Sequence, residues 1–349
     1  MVIIRMRKNT ILKNIFFIVP FFISIGCLKD DTNPVDSFIT NDSIDMLVYL
    51  ETNGDIINSP TTKNVFTSAQ ELYSNLSGYV VLDIRDSLLF ADGHISGAIN
   101  IQSSDLLAKV KSLDTSKVIL VSQNGQSASY YGSLLIIDGF SNINILEFGM
   151  AGWNDHFADN WRVSNGYKPL QYNYFNSIGY NKGPITNFPE VKINSSGDIK
   201  SKIETRIQDL LSEEFEDGIN YIKSSSLPSI YSQDTFGDFL LEDSTFENEY
   251  IICYDTQYVY ILPGHRDGTM PVHPPHSILY NYYKDLKSIY YLQTIPVNKK
   301  VVVYSLSGHQ SAFATAYLRL LGYTNVHSLL FGATWLSPFP GSMNYPYVN

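Results

Sequence analysis

"VSQNGQSASYYGSLLIIDGF", residues 121–140, and "YSLSGHQSAFATAYLRLLGY", residues 304–323, share one shape. Each starts at the end of an apolar run, passes through a short loop with one glycine, and continues at once into a helical pattern. The likeness extends past the loops. Ser122 and Ser305, Gly125 and Gly308, Gly139 and Gly322, and Phe148 and Phe331 all lie 183 residues apart, and Trp153 and Trp335 lie 182 apart. A nearly constant shift over such a span marks two copies of one unit.

Each copy reads as α/β. In the first, "YVVLDI" (79–84), "NIQS" (100–103), "KVILVS" (117–122) and "NINILE" (142–147) are short β-rich runs. They are separated by segments with apolar residues at three- and four-residue spacing, and Gly139 supplies a helix stop. The second offers "YIICYD" (250–255), "KKVVVYS" (299–305) and "NVHSLL" (325–330). Apolar strands alternating with helices predict, for each copy, a mainly parallel sheet covered by helices on both faces. A chain of 349 residues has the length for two such domains. Between them runs a stretch rich in Asn, Gly, Pro and Tyr, and "IETRIQDLLSEEFEDGINYIKSS" (203–225) predicts an amphipathic helix opening the second domain. The expected boundaries are 44–168 for the first domain, 169–200 for the linker and 201–349 for the second domain.

The N-terminus reads as a targeting segment over 1–26. "MVIIRMRKNTILKN" supplies the positive end, "IFFIVPFFISI" a short apolar core interrupted by Pro20, and "SIGC" the exit. The Gly26-Cys27 junction resembles the lipobox of bacterial lipoproteins. That resemblance implies a thiol at Cys27 carrying diacylglycerol, a tether over 27–43, and a place in the bacterial cell envelope, at the outer membrane or cell surface. The membrane is then a partner through the lipid. The formal net charge is −10, and the leader holds Arg5, Arg7, Lys8 and Lys13 without any acid, so its removal makes the chain more negative still. Phosphates would be repelled, which argues against nucleic acid as a partner. With Cys27 lipidated, Cys253 is the one thiol left, which excludes an internal disulfide and a Cys-rich zinc site.

"VVLDIRDSLLFADGHISGAINI", residues 80–101, resembles the rhodanese family. Asp83, Arg85, Gly93, His94, Ile95, Gly97 and Ala98 match its pattern, and the loop at 122–128 and "LEFGMAGW" continue it in order. The second copy matches more loosely. "CYDTQYVYILPGHRDGTM" keeps Gly264 and His265, but Thr256 stands where arginine is expected. Forty-three residues separate His265 from Gly308 against 31 from His94 to Gly125, which places an insertion at about 271–293. The resemblance implies two rhodanese-like domains in tandem.

Rhodaneses carry sulfur as a cysteine persulfide in this loop, where backbone N–H groups and the helix N-terminus stabilise the anion. Here Ser122 and Ser305 stand at the cysteine position, and a hydroxyl cannot form a persulfide. Ser127 and Gln310 replace an arginine often found later in the loop. No catalytic residue, metal or cofactor is therefore expected. What remains is two backbone cradles, Ser122-Gln123-Asn124-Gly125-Gln126-Ser127 and Ser305-Leu306-Ser307-Gly308-His309-Gln310-Ser311, as candidates for holding a small anion or a protein partner. Asp83 and Arg85 read as a buried structural pair, with His94 and His265 as structural turn residues. His273 and His276 lack the carboxylate company of a metal site. Two other readings stand beside this one: a sulfurtransferase using Cys253 as its sulfur carrier, and a structural surface-assembly protein acting through its insertion.

Overall fold

The computed structural model of the chain describes residues 41–59, 64–114, 116–159, 161, 181–213, 215, 221–222, 249–255, 277–332 and 340–349. The leader, Cys27, most of the tether, much of the linker, and Thr256, Gly264, His265, His273 and His276 lie outside the described residues.

Two five-stranded sheets form, and every strand pairing in them is parallel. The first contains β1 (Phe66–Thr67), β2 (Val80–Asp83), β3 (Ile99–Asn100), β4 (Val118–Val121) and β5 (Ile143–Leu146) in the order β1-β5-β4-β2-β3. The second contains β6 (Tyr221–Ile222), β7 (Glu249–Asp255), β8 (Ile278–Asn281), β9 (Lys300–Tyr304) and β10 (Val326–Leu329) in the order β6-β10-β9-β7-β8. The order is the same, which is the structural form of the 183-residue repeat.

Helices flank both sheets: α1 (Asp42–Thr52), α2 (Ala69–Ser74), α3 (Ser87–Asp92), α4 (Leu106–Ser112), α5 (Gln126–Asp138), α6 (Gly149–Trp153), α7 (Ile199–Leu211) and α8 (His309–Leu320). Period-two alternation covers the first sheet on both faces. Val118 and Leu120 enter one core, while Ile119 and Val121 enter another with Leu146, Met150 and Trp153. Helix α5 is buried from Gln126 to Ile137, and α8 is buried over almost its whole length. The two pack against each other, so one hydrophobic core runs through both halves, from Leu134 and Ile145 to Val303 and Tyr317. Both helices are covered on nearly every side, buried polar residues such as Gln126, Ser129, Ser311 and Thr315 included.

Three features depart from the sequence reading. First, the expected insertion over 271–293 contains β8, the counterpart of β3 at the sheet edge. Thirteen residues separate His265 from Ile278 where five separate His94 from Ile99, so much of the extra length precedes the strand. Second, sheet register reassigns the partners of Asp83 and Arg85. Asp83 pairs with Val121 and Cys253 with Tyr304, so Cys253 stands in Asp83's place and Asp255, not Thr256, in Arg85's. Third, α7 starts earlier and ends sooner than the pattern at 203–225. Asp198 caps it by accepting from Ser201 N, and Ile203, Ile207, Leu210 and Leu211 form its buried stripe.

The ends of the chain cross between halves. Helix α1 leans on the second half: Asp42 accepts from Ile193 N (2.7 Å) and Lys202 Nζ (2.6 Å), and Glu51 accepts from both Ser288 N and Ser288 Oγ at 2.6 Å. Residues 340–349, counted by sequence with the second domain, lie on the first. His94 and Val348 exchange both backbone hydrogen bonds there.

Candidate functional site

Strand β4 ends at Val121 and α5 starts at Gln126, with Gly125 between them in the left-handed region (φ 83°). In the second half Gly308 repeats those angles between β9 and α8. Each loop is gripped by a second turn. Met150 N donates to Ser122 O (2.9 Å) and Ala151 N to Gln123 O (3.0 Å). This approach requires glycine. A Cβ on Gly149 (φ 54°) would lie 2.1 Å from Ser122 O, and one on Gly332 (φ 56°) 2.2 Å from Ser305 O. The repeated Phe-Gly pairs are thus the clasps that hold the two loops.

Inside each clasp the serine oxygen accepts from the backbone, at two amides in the first loop and one in the second. Ser122 Oγ accepts from Gly125 N (3.1 Å) and Ala128 N (3.2 Å), and Asn124 Oδ1 accepts from Gln126 N (2.9 Å). Ser305 Oγ accepts from Ser311 N (3.1 Å) and contacts Ser311 Oγ (3.4 Å), while Leu306 N donates to Asp255 Oδ2 (2.9 Å). Ser122 and Ser305 are both fully buried, and Ser127 is buried beside the first loop.

The two loops also reach into each other, through residues at matched positions. Gln126 Oε1 accepts from Phe331 N (3.0 Å), and its Nε2 donates to Ser328 Oγ and Leu329 O, each at 2.8 Å. His309, 183 residues later, accepts at Nε2 from Phe148 N (3.2 Å). That acceptance leaves the ring proton on Nδ1, which pairs with Ser307 Oγ at 2.6 Å. The ring is edge-on to Phe148 and Phe66, and a Cβ on Gly125 would lie 2.4 Å from Nε2. Burial pushes the His309 imidazole down to about 4, against a smaller opposing pull from the Asn124 backbone. His309 is therefore neutral, and its only lone pair faces an amide, not a serine.

Around the first loop, Asp83 and Arg85 form a fully buried pair: Nε reaches Oδ1 at 3.0 Å and Nη2 reaches Oδ2 at 2.7 Å. Arg85 Nη2 also donates to Gly93 O (2.7 Å), and Asn100 Nδ2 ties Asp83 O and Arg85 O to β3. His94 stacks on Phe90 and places Nδ1 3.0 Å from Phe90 O. Cys253 is fully buried in β7, and desolvation pushes its thiol up, away from the reactive thiolate. Gln310 lines a cleft with Ile57, Phe66, Tyr254, Tyr282, Tyr283 and Phe313. Asp255, the Phe-Gly clasps and the Gln126–His309 exchange were not assigned roles from sequence, although the repeated Phe-Gly pairs were a visible signal of the clasps.

A family model described as the Rhodanese-like domain matches residues 68–156, wholly within the first half. Thiosulfate sulfurtransferase GlpE of Ectopseudomonas mendocina (strain ymp) is 38% identical over 90 residues, which are 26% of this chain and 81% of that protein. The uncharacterized protein YibN of Escherichia coli (strain K12) is 35% identical over 83 residues, 23% of this chain and 58% of that one. Among solved structures, a rhodanese-related protein from Thermoplasma volcanium shares 28% identity over 27% of this chain and 90% of its own, with a TM-score of 0.23.

Proposed function

The chain belongs to the rhodanese family, and we propose that within it the protein is a non-catalytic member: two rhodanese-like modules, tethered to the bacterial cell envelope through lipid on Cys27, that bind a partner or a small anion. The observation that carries this reading is the state of the two serine oxygens. Each is buried and already accepts from backbone amides, two at Ser122 Oγ and one at Ser305 Oγ, so the cradle stabilises a neutral hydroxyl, and among the described residues no basic side chain hydrogen-bonds to either. Of the two ligand classes, the geometry favours a protein partner. The first loop gives the N–H groups of Gly125, Gln126 and Ala128 to its own side chains, and His309 stands against Gly125. The sulfurtransferase alternative through Cys253 is disfavoured by a thiol buried inside a strand and held protonated.

The test is turnover of thiosulfate with cyanide or a thiol acceptor by the purified mature chain. No turnover above a heat-denatured control is expected. Robust turnover that survives Cys253→Ala would refute the reading, and a persulfide trapped on Cys253 would establish the alternative. Calorimetric titration with sulfate and thiosulfate separates anion from partner binding. Mass spectrometry of the membrane fraction should find a diacylglyceryl adduct on Cys27, lost in Cys27→Ser.

A further inference from the structure

Residues 340–349 form no helix, and each hydrogen bond below joins them to the first half. Met343 N donates to Gly152 O (3.1 Å), Tyr345 N to Trp153 O (3.0 Å) and Val348 N to His94 O (2.9 Å). The groove answers with its own donors. His94 N reaches Val348 O (2.8 Å), Asn154 Nδ2 reaches Tyr345 O (2.8 Å) and Trp153 Nε1 reaches Pro346 O (2.9 Å). Side chains alternate in their use. Tyr345 stacks on Tyr73 at 4.1 Å, and Tyr347 stacks on His156 and meets Phe157 edge-on. The intervening Asn344, Pro346 and Val348 are exposed, so the alternation runs from Asn344 to Val348. Gly93 opens the slot for Tyr347, since a Cβ there would lie 2.5 Å from that ring.

Backbone bonds to an extended segment, with pockets for alternate side chains, are how grooves recognise strand-like peptides. The segment that fills this groove carries no charged side chain and centres on Tyr345-Pro346-Tyr347. We propose that the groove between α2, α6 and the Gly93-His94 turn is a peptide-recognition site for an extended, uncharged Tyr-Pro-Tyr segment of a partner protein. The chain's own tail is the tethered occupant that such a partner displaces. The proposal names the partner class for the binding reading above, yet it does not rest on the absence of sulfur transfer. Thiosulfate turnover would sink that reading and leave the groove untouched.

The probe is a fluorescein-labelled peptide with the sequence of residues 341–349, followed by anisotropy against the full mature chain and against a Tyr345→Ala/Tyr347→Ala variant. A tethered tail competes at an effective concentration of about 1 mM, so for an intrinsic Kd of about 0.1 mM releasing it should lower the peptide's apparent Kd about tenfold. Adding Gly93→Val to the variant should abolish binding, as should both Tyr→Ala changes in the peptide. A folded variant that ignores the peptide, or binding indifferent to Gly93→Val, overturns the proposal. If the variant does not fold, hydrogen exchange on the unaltered chain decides. Tyr345 and Val348 amides should exchange by local release, well ahead of those in β4. Equal protection overturns the idea. Light scattering that shows dimers formed by tail exchange would assign the groove to a second copy instead of a partner.

Discussion

The two loops have nearly the same backbone and different surroundings. Gly125 and Gly308 share φ 83° and ψ −14°, and the clasps share left-handed phenylalanines, Phe148 at φ 60° and Phe331 at φ 61°. The first loop rests on a buried ion pair, Asp83 with Arg85. In the second, those register positions hold Cys253 and Asp255, and a single carboxylate caps Leu306 N. One loop conformation thus persists over two unlike floors. What they share is the clasp and the exchange of Gln126 for His309, so packing between halves is enough to maintain the loop shape.

The largest effect that sharpens this contrast comes from the floors. Asp83→Ala leaves the Arg85 guanidinium buried without its partner and should cost about 3–5 kcal/mol. Asp255→Ala strips one cap and should cost about 1–3 kcal/mol. Urea denaturation of the two variants compares them directly, and equal losses would break the contrast.

Acid should expose the next asymmetry. The His309 ring takes its proton near pH 6.5 when unfolded but only at about 4 when folded. Between those values the unfolded chain binds more proton, so stability falls as the pH drops through that window and is not lost further below it. The contribution is on the order of 3 kcal/mol. His309→Gln copies the residue at position 126, which also accepts from a phenylalanine amide. It should remove this part of the acid sensitivity, measured as melting temperature against pH. His327, likewise pushed down to about 4 by burial and by Lys300 and Arg319, remains as an acid-labile group.

Smaller again is Gln126→Ala. It leaves Phe331 N without its acceptor and should cost about 1–3 kcal/mol in the same denaturation series. The smallest expected effect is on chemistry. Ser122→Cys or Ser305→Cys should bring no sulfur transfer, because restoring the thiol leaves the loops locked together by Gln126 and His309. Turnover by either single variant would show that the thiol alone was missing.

The strands longer than two residues were legible from their apolar runs, β8 excepted, and so were the two loop glycines. Strands β1 and β6 are two residues long, too short to carry a period, and β8 was absorbed into an apparent insertion because its flanks differ from those of β3. The buried Asp83–Arg85 pair lies within one short motif and could be read locally. The exchange between the loops could not. Gln126 meets partners more than 200 residues away and His309 one 161 residues away, and no local pattern encodes such pairings. Thr256 was set in the arginine's place, and Asp255 went without a role, because sheet register and not the local motif decides which positions correspond.

The crossing of the chain's ends sets an order of events. One wall of the first module, over Gly93, Trp153 and Phe157, closes only when residues 342–349 arrive, nearly two hundred positions after that module's own last strand. A ribosome releasing this protein from its N-terminus must therefore expose that aromatic wall through the making of the entire second half. During that interval a chaperone, or a neighbouring nascent chain, has access to a surface over which no tail yet lies.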